Sequence, residues 1–210
     1  VQDLKVGDRI FVSHHVPCND CRYCQRGHHT ACQNLHTTNY YPGGFSQYSK
    51  VPKINVQCGV YKLPDDMSFE EGTFIEPLAC VARGQRLANL KKDDTVLIIG
   101  SGVSGILHAQ LAKYKGVENV IVADINTYRL ELAKKFGADH ALDAKDNLPQ
   151  KLKQANGGRL ADQVIVCTGA TSAATAALDC VEKGGTILFF AVPDPTVKLP
   201  LPINQFWRNE

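Results

Sequence analysis

Thr95-Val-Leu-Ile-Ile-Gly100-Ser-Gly-Val-Ser-Gly105-Ile-Leu-His-Ala-Gln-Leu-Ala-Lys-Tyr114, followed by Val120-Ile-Val-Ala-Asp124, decides the fold. An apolar run reads as a buried strand, a glycine turn follows it, and a helical run and a second buried strand complete a βαβ unit. The turn has the spacing G-x-G-x-x-G, and each glycine has a physical task. Gly100 allows the tight turn out of the strand, Gly102 lets a pyrophosphate approach the backbone, and Gly105 lets the helix pack closely. Val103 and Ser104 open the helix, whose unpaired N–H groups and partial positive charge favour phosphate. Asp124 lies nineteen residues past Gly105, where a carboxylate can accept hydrogen bonds from ribose hydroxyls. A glycine-rich turn that binds nothing would preserve the apolar runs but leave the placed acid a coincidence. Asp124 also selects between cofactors. A 2′-phosphate beside it would be repelled by about 1 kcal/mol in water and by more in a drier site, so NAD is favoured over NADP. Arg129, five residues on, suits a contact to the ribose or an adenosine phosphate; it also suits a solvated helix arginine.

From Thr95 onward strand and helix alternate. Thr127–Phe136, Leu148–Ala155 and Ser172–Val181 read as helices, with Gly184-Gly185 as the exit of the last. Ala141-Leu142, Asp162–Cys167 and Thr186–Val192 read as strands. The alternation implies a parallel, doubly wound α/β (Rossmann) sheet. Ligands bind at the carboxyl edge of such sheets, here Gly100, Asp124, Cys167-Thr168 and Ala191-Val192-Pro193. The Pro-rich 193–202 segment suits a loop over that edge.

Working back toward the N-terminus, Glu76-Pro77 opens a helix from Leu78 to Ala88. Pro77 suits its first turn, and Glu76 at the positive end suits a simple dipole-stabilising acid. Ser68-Phe-Glu-Glu71 is a capping box that should start a helix. Val60–Leu63, Gly43–Val51 and Val6–Val12 read as strands. Between the last two lies Cys18-x2-Cys21-x2-Cys24-x7-Cys32. Four thiols on so short a loop cannot build a core, but four thiolates can close a tetrahedron around Zn2+ and leave no open position, which makes the site structural. An iron–sulfur run of the bacterial ferredoxin type would need x3 and then Pro after the third cysteine. Disulfides suit these short spacings poorly. Zn2+ with four thiolates carries a net charge of −2, which Arg22, Arg26, His28 and His29 are placed to offset. Cys58, Cys80, Cys167 and Cys180 are isolated and read as small core residues.

Composition narrows the classes further. The 210 residues carry a net charge of +2 with no long basic run, so no nucleic-acid footprint appears. No stretch reaches membrane-spanning length and no signal peptide is visible. Eight cysteines, four of them at metal spacing, fit a cytoplasmic protein better than a secreted disulfide framework.

A zinc loop joined to a dinucleotide domain resembles the zinc-containing medium-chain dehydrogenases of the alcohol dehydrogenase superfamily, and most of all the sorbitol and threonine dehydrogenase branch. Val6-Gly-Asp-Arg, the four-cysteine lobe, Gly43-Gly-Phe-Ser-Gln-Tyr, Glu76-Pro77-Leu-Ala, the glycine turn and Phe136-Gly-Ala-Asp139 carry the match. The resemblance implies part of a β-rich GroES-like catalytic domain over 1–76, and an NAD-binding Rossmann domain, incomplete at its C-terminus, over 77–210. It implies hydride transfer between a secondary alcohol or polyol and NAD, and a homo-oligomer (dimer or tetramer) when intact. It places Ser104, Asp124 and Arg129 on the adenosine and phosphates and Ala191 to Pro193 near the nicotinamide. It also implies a second, catalytic zinc, which Glu76 can approach or bind. The other ligands of that zinc would precede Val1, and a sixth strand would follow Glu210, so the chain by itself is expected to be inactive. Two other readings stay open: a zinc-free NADPH reductase of the same superfamily, and a non-catalytic NAD-binding zinc protein.

Overall fold

The computed structural model describes residues 4–209, and the chain divides into two compact units, Val1–Glu76 and Pro77–Glu210.

In the first unit, β1 (Ile10–Val12) leads to the short helices α1 (Arg22–Gln25) and α2 (Gln33–Thr37), with a 3-10 turn over His29–Ala31 between them. Then come α3 (Lys53–Gly59), β2 (Val60–Lys62) and α4 (Phe69–Gly72). β1 and β2 pair antiparallel, with Phe11 opposite Tyr61. The expected capping box is present: the Glu71 N–H donates to Ser68 Oγ at 3.1 Å, and the Ser68 N–H donates to Glu71 Oε2 at 2.8 Å. The expected Gly43–Val51 strand is not. Among the described residues this stretch makes one isolated bridge, Tyr41 to Lys50. Gly43 takes φ +136°, and its carbonyl accepts the hydroxyls of Ser46 and Ser49 at 2.8 and 2.9 Å. Side chains thus take the place of ladder bonds, and Phe45 stands in solvent. The helix α3 was not expected. It follows Pro52 as N-cap and is tied to the end of β1 by Asn55, whose buried Nδ2 donates to the Ser13 and His14 carbonyls just past that strand, at 3.0 and 2.9 Å.

The second unit begins within α5 (Ile75–Leu87), so Pro77 falls in the helix's first turn as its missing N–H requires. It continues through β3 (Thr95–Ile99), α6 (Val103–Tyr114), β4 (Asn119–Asp124), α7 (Thr127–Lys135), β5 (His140–Asp143), α8 (Leu148–Ala155), β6 (Ala161–Val166), α9 (Thr171–Cys180), β7 (Val181–Phe189) and α10 (Ile203–Phe206). The five strands form one parallel sheet in the order β5-β4-β3-β6-β7, as doubly wound folds do. β3 is central, and all five of its residues are buried. Leu97, Ile99, Ile121 and Val164 pack with α8 and α9 on one face; Val96, Ile98, Val122 and Ile165 pack with α6 and α7 on the other. Full burial of each such side chain stabilises by roughly 1.5–3 kcal/mol.

The start of β7 differs from the sequence reading. Gly184-Gly185 is not a helix exit; β7 starts at Val181 and bulges there, with Gly184 at φ +72° and a register shift against β6. The C-terminal segment returns to β7, where the Gly184 N–H donates to the Asn209 carbonyl at 2.7 Å. Of the isolated cysteines, Cys180 is buried and Cys58 and Cys167 are half-buried, but Cys80 is exposed. It lies on α5 outside the stripe of Val81, Gly84 and Gln85 that faces inward.

One buried polar group has a pH consequence for folding. His108 on α6 is fully buried, and burial, with the Lys115 charge second, pushes its pKa down to about 4 from 6.5. Its neighbours Gly84, Gln85 and Phe190 are uncharged. The unfolded chain therefore takes up a proton that the folded chain refuses. The stability due to neutral His108 is complete above pH 6.5 and is lost as pH falls toward 4, by up to about 3 kcal/mol. Urea melts of the wild type from pH 7.5 to 4.5 should show this loss, and H108Q should show a flatter profile. Equal slopes would mean that His108 is solvated.

Candidate functional site

The order of the strands reverses between β3 and β6, and the crevice opens there. Gly100 ends β3 at φ +98°, and a Cβ on it would lie 3.1 Å from the Thr168 Cβ and 3.2 Å from the Cys167 backbone. The turn is therefore pressed against the end of β6. Its N–H still donates to the Ala123 carbonyl at 2.8 Å, which prolongs the β3–β4 ladder. Gly105 is tighter. A Cβ there would lie 1.9 Å from the Gly100 carbonyl oxygen. Gly102 is the opposite case: a Cβ would meet nothing within 4 Å, and no side chain caps α6 at this residue. The first-turn N–H groups of α6 thus face open space where an anion can approach.

Asp124 closes the other side. Its Oδ2 accepts the Ser101 N–H at 2.7 Å and the Ser101 hydroxyl at 3.0 Å, and its Oδ1 accepts the Asn126 N–H at 2.9 Å. Burial alone would raise its pKa. The donors of Ser101 and Asn126, with the Arg129 charge, outweigh burial and hold the carboxyl below the usual carboxylate value. It stays ionised at neutral pH. The Arg129 guanidinium is 4.0 Å from Oδ2 and more than half exposed, so the pair itself is weak.

A cavity of about 250 Å3 joins these groups. Gly100, Gly102, Asp124, Arg129 and Thr168 line it. Val103 and Ser104 lie at the start of α6 outside its wall, and Gly105 lies beneath the turn. Ala191, Val192 and Pro193 do not line it. They lie beside the next stretch of the edge, where a Cβ on Gly169 would be 3.1 Å from the Val192 carbonyl oxygen. Sequence reasoning missed the apolar wall formed by Ile125, Ala144, Leu148 and Ala173, because apolar residues there read as ordinary core. It also missed the Ser101 hydroxyl, although the variable position inside G-x-G directly follows the strand.

The four cysteines of the first unit come together. Their Sγ atoms all lie within 4.8 Å of one another, and the separations Cys18–Cys24, Cys21–Cys24 and Cys18–Cys32 are 3.9, 3.5 and 3.6 Å. A tetrahedron with Zn–S bonds of about 2.3 Å has edges of about 3.8 Å. The donor set therefore fits Zn2+, and all four thiols are free rather than bridged. Backbone N–H groups support the sulfurs: Cys18 donates to Cys32 Sγ at 3.4 Å, and Cys21 to Cys18 Sγ at 3.3 Å. The Cys18 N–H brings the Cys32 thiol down to about 6, while burial and neighbouring thiols push Cys24 up to about 12. A divalent cation is what lets all four ionise together. Among the described residues no other three His, Cys, Asp or Glu side chains gather in this way, so Glu76 stands in no such group.

Residues 104–210 match the family of zinc-binding dehydrogenases, and residues 1–65 match the alcohol dehydrogenase GroES-like domain. The L-threonine 3-dehydrogenase of Shewanella putrefaciens is 32% identical over 195 residues, covering 92% of this chain and 56% of that protein. The D-xylulose reductase of Saccharomyces cerevisiae is 32% identical, covering 97% of this chain and 58% of that protein. Among solved structures, one from Sinorhizobium meliloti, described as a zinc-binding dehydrogenase bound to NADP, superposes with a TM-score of 0.87 at 28% identity, covering 99% of this chain and 61% of that one. The chain thus spans little more than half the length of the curated relatives it matches. The crevice, the sulfur cluster and both family matches agree: the chain belongs to the zinc-binding dehydrogenases.

Proposed function

We propose that this chain carries the dinucleotide site and the structural zinc lobe of an NAD-dependent dehydrogenase that acts on secondary alcohols or polyols. One observation carries the reading: an ionised, nearly buried Asp124 faces an open glycine turn across the crevice at the switch point. A bound nicotinamide would supply the hydride acceptor, and a catalytic zinc would supply Lewis acidity toward the alcohol oxygen. The chain's own residues bind and orient. The start of α6 takes the phosphates, with Ser104 and Arg129 beside it, and Asp124 accepts from the ribose hydroxyls. Thr168 and Ala191–Pro193 flank the nicotinamide side. Cys18, Cys21, Cys24 and Cys32 hold a structural zinc, and the gathered sulfurs favour this reading over a zinc-free reductase. Glu76 is assigned to the approach of the catalytic zinc on family likeness; its place in the first turn of α5 also suits the helix dipole. The two compact units are read as the catalytic-domain portion, 1–76, and the nucleotide domain, 77–210. The proposal includes a small-molecule alcohol or polyol substrate, a homo-oligomer and a cytoplasmic location. Among the described residues no helix is long and apolar enough to cross a membrane.

The test is cofactor choice. Calorimetry on zinc-loaded protein should show NADH binding at least about fivefold tighter than NADPH, since a carboxylate near a 2′-phosphate costs about 1–4 kcal/mol as the site goes from wet to drier. D124N should shrink that ratio toward one, mainly by weakening NADH. Tighter NADPH binding would overturn the role of Asp124. Binding of neither nucleotide would overturn the redox reading.

A further inference from the structure

His108 lies buried on the inner side of α6, six residues after the turn at Gly102. A buried leucine would fill the same place without hiding ring nitrogens from water. The surrounding contacts show what the imidazole does. Gln85 on α5 donates from Nε2 to the His108 carbonyl at 2.8 Å and sits 3.4 Å from its Nδ1. That contact makes Nδ1 the acceptor and puts the ring proton on Nε2, which has no hydrogen-bond partner. The ring meets Phe190 edge-to-face, with centroids 4.6 Å apart and an interplanar angle of 88°. Gly84 backs both rings: a Cβ there would lie 3.2 Å from Phe190 Cδ2 and 3.4 Å from His108 Cε1.

Phe190 is the residue just past β7, where the chain turns into Ala191–Pro193. Its N–H and that of Ala191 both donate to the Val166 carbonyl, at 3.1 and 3.0 Å. Two residues on, the Val192 carbonyl lies against Gly169. The helix that presents the phosphate-facing turn therefore also carries the ring that packs on the root of the 191–193 turn. An edge-to-face aromatic pair has a preferred orientation that aliphatic packing lacks.

We propose that His108, held by Gln85, is a positioning residue that sets the 191–193 turn relative to the phosphate-binding turn, and so fixes the nicotinamide end of the cofactor. The inference rests on the cofactor reading given above. In it the neutral imidazole acts through Phe190 and touches no substrate.

Two ligands separate the alternatives. ADP-ribose engages the adenosine, the phosphates and both riboses but lacks the nicotinamide ring; NADH has both ends. By calorimetry, H108L and F190L should each weaken NADH at least tenfold and leave ADP-ribose within about twofold of wild type. H108Q, which keeps a donor beside Phe190, should fall between. Should H108L fail to fold, F190L and Q85M carry the same comparison. Parallel weakening of both ligands, or no weakening of NADH, would overturn the proposal and leave His108 as core packing. Wild-type protein that binds NADH no better than ADP-ribose would show that the 191–193 turn does not hold the nicotinamide. Wild-type protein that binds neither would instead sink the cofactor reading itself.

Discussion

Gly105→Ala is expected to destabilise the second unit by more than about 3 kcal/mol and to abolish measurable dinucleotide binding. The added methyl would sit 1.9 Å from the Gly100 carbonyl oxygen and 3.0 Å from its carbonyl carbon. That neighbour is backbone, so no side chain can swing away. Gly100 cannot retreat either. Its N–H is engaged by Ala123, its Cα faces Cys167 and Thr168, and its φ of +98° is already a conformation that only glycine adopts readily. Relief must come from pulling α6 off the sheet, which opens the apolar contacts of Ala109 and Ala112 against Val96 and Ile98. Gly102→Ala is the internal control. Its backbone is ordinary at φ −69°, and its Cβ would point into open space. G102A should melt within about 0.5 kcal/mol of wild type and yet bind NADH at least tenfold more weakly, because the methyl occupies the line of approach of the phosphates. Urea melts followed by far-UV circular dichroism, paired with NADH fluorescence titrations, read both quantities. A G105A protein that melts like wild type would refute the packing role of Gly105. A G102A protein with intact affinity would refute the phosphate approach.

Much of the second unit was legible because its local and long-range signals agree. Val96–Ile99 and Val120–Ala123 are uninterrupted apolar runs, and both are buried on two faces. The expected helices at Thr127 and Leu148 start where Asn126 and Asn147 cap α7 and α8 through the N–H groups of Arg129 and Gln150. The first unit was less legible because its segments depend on partners that local sequence does not name. Gly43–Val51 has strand composition, but a strand needs a neighbour, and here serine hydroxyls satisfy the turn instead. β7 misled in another way: Gly184-Gly185 carries the signature of a turn, and the sheet uses the same freedom for a bulge. In the site, the charged and glycine positions could be read because their chemistry is unusual for a core. The Gln85–His108–Phe190 stack could not, since its three residues are far apart in the chain and each looks ordinary where it stands.

Stripping the metal from the first unit should unfold the 18–38 lobe while the second unit keeps its fold. The lobe has little else to hold it. α1 and α2 are four and five residues long, far below the length at which a helix is stable alone. The hydrophobic residues buried within it are Cys24 and Cys32, with Val16 just before. Structural zinc in small cysteine sites contributes roughly 10–16 kcal/mol of apparent binding free energy at neutral pH, and most of that is folding free energy. Chelation, or Cys32→Ser, should therefore cost the first unit well over 3 kcal/mol. Cys32 is the informative position because its sulfur accepts the Cys18 N–H as well as closing the cluster. The expected record is one equivalent of zinc per chain before treatment and none after. Amide exchange over 18–38 should become unprotected, and a protease should gain access near Gly27, while exchange in β3 and β4 stays slow and ADP-ribose still binds. Unchanged protection in metal-free protein would show that the sulfurs pack without an ion. Visible absorbance from bound iron, or four cysteines that resist alkylation until reduced, would each replace zinc with a different chemistry at the same four positions.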